Sequence, residues 1–140
     1  MSVCVDASLV VKWVSREGDS EAALAWLQSH AGEALIAPVL LPIELSAVLH
    51  QKTRRQELTS EQAERALQLF ERLRVRLIWD STLVRRALDL AEELDQTTTY
   101  DTLYLALAET ERCELWTADA RFVRAAKPQY HFVHELGEWA

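Results

Sequence analysis

The sequence predicts a single α/β domain built on a mostly parallel sheet. Five short apolar segments alternate with longer segments whose apolar residues recur at helical spacing. Strands that alternate with helices tend to pair in parallel, because each helix carries the chain back to the start of the next strand. Three Gly and three Pro in 140 residues leave little room for linkers, so we assign residues 1–140 to one domain.

The first half of the chain supplies two predicted strands and three predicted helices. Helical spacing of apolar residues begins directly after Asp6, and Gly18 and Gly32 are typical of the ends of the first two helices. Pro38 separates the second strand from the third helix. The predicted bounds are 2–5 and 35–37 for the strands, and 7–14, 20–30 and 39–55 for the helices.

The second half supplies the remaining three strands and four helices. Thr59 and Gln62 have the spacing of a capping box for a helix that runs to about Leu73. Ser81 is the predicted cap of the next helix, which ends near residue 94. The other predicted elements are strands at 76–79, 114–117 and 130–133, helices at 100–110 and 119–126, and a tail at 134–140.

The composition predicts a soluble protein of the cytoplasm. No apolar run approaches the ~18 residues of a membrane span, and the N-terminus lacks the pattern of a secretion signal. Cys4 and Cys113 have no CxxC or CxxH neighbour, so we expect two reduced thiols packed in strands. The net charge of −7 argues against nonspecific coating of nucleic acid. It does not exclude a nucleic-acid enzyme, because metal-binding carboxylates count as negative in that sum.

Glu44 is the acidic residue that local structure explains least well. It lies in the second turn of the third predicted helix, on a face with four apolar residues: Leu40, Leu41, Ala47 and Val48. A buried carboxylate is costly without a cation, hydrogen bonds or a proton, and no Lys or Arg lies within one turn. We therefore expect Glu44 to serve a group outside the sequence, with a metal ion as the first candidate.

Three aspartates follow strands or begin helices. Asp6 and Asp119 come after predicted strands, at the edge of a parallel sheet where ligands bind, and Asp101 lies in the first turn of its helix. Each has a purely structural alternative, since Asp6 and Asp119 are good N-caps and Asp101 suits the helix dipole. Together with Glu44 they make four acids that can converge, and a divalent cation with oxygen ligands is the simplest group to neutralise them.

Four segments of the chain resemble the signature segments of the PIN-domain ribonucleases, most closely the VapC-type toxins of toxin–antitoxin pairs. They are VCVDASLVVKW, LLPIELSAVL, YDTLYLALAE and LWTADARFV, in the family's order and spacing. The resemblance implies a three-layer fold with a central five-stranded parallel sheet flanked by helices. It implies that Mg²⁺ or Mn²⁺ is held by Asp6, Glu44, Asp101 and Asp119. It also implies supporting roles for Ser8 and Thr117, for which capping or turn formation remains an equal alternative.

The expected reaction is hydrolysis of an RNA phosphodiester by a metal-activated water, leaving a 5′-phosphate and a 3′-hydroxyl. The alternative route to RNA cleavage uses paired histidines and the 2′-hydroxyl. His30 and His50 fall on helices without evident partners, and His131 and His134 are expected in the last strand and tail, away from every acid. The HFVH segment lacks a third nearby Cys or His ligand for a metal.

Several basic residues are candidate contacts for RNA phosphates. Lys52 and Arg55 continue the Glu44 face of the third helix outward, and Arg121 and Arg124 belong to the helix after Asp119. Solvated positive charges at helix ends are the alternative for every one of them.

The resemblance also implies a cognate antitoxin and a homodimer. The two helices between residues 40 and 73 are rich in apolar residues for one small domain: Leu45, Val48, Leu49, Leu67, Phe70 and Leu73. The segment after the first strand has no glycine, which excludes dinucleotide-binding and P-loop functions. A phosphoacceptor domain would not explain Glu44. The strongest alternative is a non-catalytic module of the same fold that acts through a protein partner.

Overall fold

The five strands form one parallel sheet in the order β3-β2-β1-β4-β5. The computed structural model describes residues 1–139. The strands are β1 (Ser2–Val5), β2 (Ala34–Pro38), β3 (Arg76–Ile78), β4 (Leu115–Thr117) and β5 (Val133–Glu135). The helices are α1 (Ala7–Val14), α2 (Ser20–Ser29), α3 (Leu40–Arg54), α4 (Ser60–Leu73), α5 (Ser81–Glu93), α6 (Tyr100–Glu111) and α7 (Ala120–Ala126), and a short 3₁₀ helix covers Leu136–Glu138. Within residues 1–139, no helix has the length and hydropathy needed to cross a bilayer.

Helices cover both faces of the sheet, so the predicted three-layer α/β fold is confirmed. Successive side chains of a strand point to opposite faces. Cys4 of β1 contacts the backbone of Tyr104 in α6. Trp116 of β4, the register partner of Val5, packs on Trp26 of α2. One layer therefore contains α6 with α5, and the opposite layer contains α1 with α2, α3 and α4.

The strand order changes direction at β1. From β1 the chain continues outward through β2 to β3, and it then returns to add β4 and β5 on the other side. In open parallel sheets, a crevice forms beyond the carboxyl ends of the strands at such a reversal. Here the crevice lies between the ends of β1 and β4, which are followed by Asp6 and Asp119.

Most predicted elements form within one or two residues of their expected bounds, and the last strand is the exception. The capping box of Thr59 and Gln62 at the start of α4 is confirmed. The prediction of a strand at 130–133 is wrong in its bounds. The Tyr130 amide donates to the carbonyl of Ala126 at 2.8 Å, so turns continue from the end of α7. Only residues 133–135 align with β4.

Three local expectations also need correction. The N-cap of α5 is Asp80 rather than Ser81, because the Asp80 carboxylate accepts the Thr82 amide at 2.9 Å. His134 does not lie away from every acid, since its Nε2 is 2.9 Å from Oε2 of Glu114. The apolar surplus predicted for α3 and α4 is wrong as well. Leu45, Leu49 and Phe70 are buried, and Val48, Leu67 and Leu73 pack against the same core.

Candidate active site

Two carboxylates border the crevice, at the points where β1 and β4 end. The Oδ1 atom of Asp6 accepts the Leu9 amide, and Oδ1 of Asp119 accepts the Phe122 amide, both at 3.1 Å. Both residues are therefore N-caps, of α1 and α7, as the structural alternative predicted. Capping fixes the position of each carboxylate and leaves further oxygen lone pairs available, so it does not exclude a second role.

A pair of hydroxyl groups holds the Asp6 carboxylate in place. Ser8 Oγ donates to Oδ1 of Asp6 at 2.8 Å, and Thr117 Oγ1 donates to Oδ2 at 2.6 Å. The same two hydroxyl oxygens accept the amides of Ala118 and Asp119. Ser8 and Thr117 therefore join the ends of β1 and β4, in the position expected of residues that support the carboxylates.

Helices α3 and α6 bring the other two carboxylates to the same place. Asp101 lies in the first turn of α6, and Glu44 lies in α3. The hydroxyl of Tyr104 donates to Oε1 of Glu44 at 2.6 Å, which joins the two helices. No partner for Glu44 is evident from the sequence alone. Tyr104 could have been identified as a candidate partner, because it lies three residues after Asp101 on the same helical face.

All four carboxylates line one cavity of about 450 Å³. Its remaining lining consists of Ser8 and six mainly apolar side chains: Ala7, Leu40, Ile43, Ala47, Val48 and Tyr100. Among the residues that the structure describes, no Lys, Arg or His lines this cavity. The expected convergence of four acids is observed, and the cation that would neutralise them does not come from the protein wall.

Burial raises the pKa of three of these carboxylates, and the charge of neighbouring acids adds to the rise at two of them. Burial raises the pKa of Asp6 from 3.8 to about 7, with a smaller contribution from Asp101, against the opposing hydrogen bonds from Thr117, Ser8 and Leu9. Burial also raises the pKa of Asp101 to about 6, reinforced by the charges of Asp119 and Glu44. The pKa of Glu44 is raised by burial, and the Tyr104 hydrogen bond opposes that rise.

The donor set fits a hard divalent cation that keeps part of its water shell. Within residues 1–139, no three His, Cys, Asp or Glu side chains lie close enough to hold an ion by themselves. Mg²⁺ does not need such a cage, because it is commonly bound through one or two carboxylates and several waters. The cavity offers four carboxylates. Burial and the charges of nearby acids raise the pKa of Asp101, and no hydrogen bond from the protein opposes that rise.

A model of the PIN domain matches residues 3–128, which is most of the chain. The chain belongs to the PIN-domain family. Among its curated relatives are a VapC ribonuclease of Mycobacterium bovis and ribonuclease VapC9 of Mycobacterium tuberculosis. Each is 31% identical over 127 residues, covering 91% of this chain and 93% of the relative.

Solved PIN-domain structures share the fold at lower identity. PAE2754 from Pyrobaculum aerophilum superposes with a TM-score of 0.71 at 21% identity, covering 99% of this chain and 94% of that one. VapBC2 from Rickettsia felis, solved with a DNA fragment from the promoter of its genes, superposes with a TM-score of 0.68 at 19% identity. That match covers 90% of this chain and 94% of the other. At these identities, the two superpositions support the fold alone.

The basic residues expected to contact RNA are not gathered at the cavity of this PIN domain. Lys52 is buried, and its Nζ lies 2.7 Å from Oε2 of Glu17, so an ion pair replaces the predicted phosphate contact. Arg55 lies 3.9 Å from Glu57 on the surface. Arg121 and Arg124 are exposed on α7. The role of these three arginines as RNA contacts stays a prediction.

The histidines and cysteines have structural surroundings. Nδ1 of His30 lies 2.8 Å from the carbonyl oxygen of Trp26, and the two rings stack. Cys4 and Cys113 are both free thiols. Cys4 is fully buried in β1 as expected, but Cys113 precedes β4 and is only partly buried, so the expectation that it packs in a strand is wrong. No histidine of the described residues lines the carboxylate cavity, so paired-histidine chemistry receives no support there.

Proposed function

We propose that this chain cleaves RNA at the carboxylate cavity by metal-assisted hydrolysis. Family membership and ribonuclease relatives support the reaction class: this is a VapC-type PIN-domain endoribonuclease, a hydrolase of phosphodiester bonds. The observation that carries the assignment of the site is the cavity itself, where four carboxylates meet without a cation in the lining.

Each carboxylate has a role that its contacts suggest. We assign Asp6, Glu44, Asp101 and Asp119 to the binding of the ion or its waters. Asp6 is fixed by donors from Ser8, Thr117 and the Leu9 amide, so its position does not depend on a cation. Tyr104 occupies Oε1 of Glu44, and we assign Oε2 to the ion or its water.

PIN-domain VapC nucleases generally depend on divalent metal, and we propose Mg²⁺ or Mn²⁺ here. The bound ion would acidify a water and stabilise charge on the phosphate and the leaving oxygen. The protein supplies the four carboxylates of the cavity, and hydrogen bonds from Ser8 and Thr117 already hold the Asp6 carboxylate in place. The proposed products carry a 5′-phosphate and a 3′-hydroxyl.

Cleavage of a labelled RNA with and without metal tests this proposal. We expect cleavage with Mg²⁺ or Mn²⁺, none in EDTA, and persistence when the scissile nucleotide carries a 2′-deoxy sugar. Cleavage that continues in EDTA, or that stops with the 2′-deoxy sugar, would assign the reaction to the 2′-hydroxyl instead. No cleavage at all would favour the non-catalytic module.

We also propose an antitoxin partner and a cytoplasmic location for the pair. The relatives named VapC and the resemblance of the whole chain to that family support the partner. A ribonuclease that is toxic in its own cell needs an inhibitor in the same compartment. Co-purification with the product of a neighbouring small gene, and loss of cleavage in the complex, would test this partner.

We propose a homodimer as well, on a different surface from the one first expected. Four large apolar side chains in the segment from β3 to α5 are exposed: Leu77, Trp79, Val84 and Leu88. Val84 and Leu88 lie one turn apart on α5, so they form an apolar stripe. Sedimentation at several concentrations should show a dimer that dissociates in the Leu88→Glu variant. A monomer at every concentration would exclude it.

A further inference from the structure

The rim of the carboxylate cavity carries two exposed apolar side chains. Tyr100 is 54% exposed at the start of α6, and Ile43 is 63% exposed on α3. Both line the cavity. Each directly precedes one of the cavity acids, since Tyr100 is followed by Asp101 and Ile43 by Glu44. The two helices thus present an apolar group beside a carboxylate at the same opening.

The charges around the cavity limit how it can hold a polyanion. Among the described residues that line the cavity, none carries a positive charge, and Lys52 on the same helix is engaged by Glu17. A bound ion would neutralise the reacting phosphate, but the lining offers nothing to the phosphates on either side. The chain as a whole has a net charge of −7. Inside the cavity, binding energy for the substrate must therefore come largely from its uncharged parts.

A nucleobase is the uncharged part of RNA that suits these two side chains. An aromatic ring that stacks on a base contributes roughly 1–3 kcal/mol, and the contact tolerates any base because every base has a π-face. The cavity of about 450 Å³ lies in the size range of small-ligand sites, which is roughly 300–1,000 Å³. A base paired in a helix has both faces covered by its neighbours, so only an unpaired base can use such a contact.

We propose that Tyr100, with Ile43 beside it, is a substrate-positioning platform on which an unpaired base next to the scissile phosphate stacks. This inference rests on the proposed function and adds a substrate-positioning residue to it. Tyr100 acts on the base and not on the reacting atoms, so its removal should weaken binding more than it slows the chemical step.

Three substitutions of Tyr100 separate stacking from other contributions. Tyr100→Ala should raise the half-saturating concentration of a single-stranded RNA about ten-fold and change the rate at saturation little. Tyr100→Phe keeps the ring and should behave as the unaltered chain. Tyr100→Leu keeps apolar bulk without the ring and should recover only part of the loss. Leu24→Ala, which removes an exposed apolar side chain on α2 that does not line the cavity, is the matched control.

Abasic RNA identifies the base that stacks. Removing the base at one position beside the scissile phosphate should weaken binding to the unaltered chain as much as Tyr100→Ala does. The two changes together should cost no more than either alone, because they remove the same contact. Losses that multiply at every position would show that Tyr100 does not contact a base, and the inference would then be wrong. The same conclusion follows if Tyr100→Ala changes only the oligomeric mass, which would assign Tyr100 to a protein interface.

A binding experiment distinguishes failure of this inference from failure of the proposed function. RNA carrying 2-aminopurine at one unpaired position is added to Asp101→Asn, with and without Tyr100→Ala. Tyr100-dependent quenching of the fluorophore without any cleavage by the unaltered chain would keep the platform and remove the nuclease proposal. If the unaltered chain cleaves RNA but Tyr100→Ala changes neither the quenching nor the half-saturating concentration, the nuclease proposal stands and the platform is excluded. If neither cleavage nor quenching is seen, both proposals are contradicted.

Discussion

Helix α3 borders two clusters of charge that are built in opposite ways. At the cavity, Glu44 joins three aspartates that have no cation beside them. Two turns further along, Lys52 lies 2.7 Å from Glu17, which is also 3.0 Å from Lys12, and Lys12 is 2.7 Å from Asp19. The second cluster balances two ammonium groups with two carboxylates. In these two clusters, the acids are paired with cations where they stabilise the fold and are left unpaired where we place the ion.

The pKa values of Glu17 in the paired cluster and of Asp101 in the cavity move in opposite directions. Burial alone would raise the pKa of Glu17, but hydrogen bonds from Lys52 and Lys12 outweigh it and lower that pKa. In the cavity, no cation opposes desolvation, so the pKa of Asp101 rises to about 6. Because a pKa shift measures which charge state the fold prefers, Glu17 is stabilised as an anion and Asp101 is not.

The largest expected effect is the loss of activity in Asp101→Asn. Residues that only support a metal ligand commonly change activity 10- to 100-fold, so loss of a ligand should cost more than about 100-fold. The melting temperature without metal should stay the same or rise, since one of four repelling charges is gone. Cleavage rate and melting temperature measured on the same preparation test both. Asp80→Asn, at an exposed N-cap of α5, is the control that should retain both properties.

The second effect concerns the paired cluster, where a substitution should lower stability and leave activity unchanged. Lys52→Met removes one of the two ammonium partners of Glu17 and leaves Lys12 as the other. Breaking a buried ion pair completely costs about 3–5 kcal/mol. Since Glu17 retains 24% of its side-chain exposure, we expect about 2 kcal/mol and a melting temperature lower by on the order of 5 °C. Cleavage per folded molecule should be unchanged. Arg55→Met, at an exposed pair with a 3.9 Å separation, should change stability by less than about 0.5 kcal/mol.

A third effect is the pH dependence of stability in metal-free protein. The folded pKa of Asp6 is about 7, raised from 3.8, so the folded state binds more protons than the unfolded state between those values. The free energy of unfolding should therefore fall as pH rises from about 4 to 7. The lowered pKa of Glu17 has the opposite sign, and its contribution is lost as pH falls below 4.5.

Chemical denaturation at several pH values, for the unaltered chain and for Asp6→Asn, isolates the cavity contribution. Asn keeps the capping oxygen of α1 and removes the titration. The difference between the two proteins should grow between pH 4 and 7 in favour of Asp6→Asn. A constant difference would mean that Asp6 carries no raised pKa.

The sequence predicted what depends on periodicity and missed what depends on distant partners. The four acids were found because parallel strands end at one edge of the sheet, which places Asp6 and Asp119 together without knowledge of any contact. Helical periodicity places Lys52 on the Glu44 face of α3, but it does not identify its partner. That partner, Glu17, comes from the distant segment between α1 and α2. Similarly, alternating apolar residues at 130–133 resembled a strand, but turns after α7 delay pairing to Val133.

Binding of Mn²⁺ tests most directly the claim that the unpaired cluster is the ion's site. Melting temperature is measured with increasing Mn²⁺ for the unaltered chain, for Asp101→Asn and for Asp19→Asn, which removes an acid of the paired cluster. We predict that Mn²⁺ raises the melting temperature of the unaltered chain and of Asp19→Asn alike, because a ligand that binds only the folded state stabilises it. Asp101→Asn should lose most of that rise. An equal rise in all three proteins, or a rise lost only in Asp19→Asn, would contradict the account.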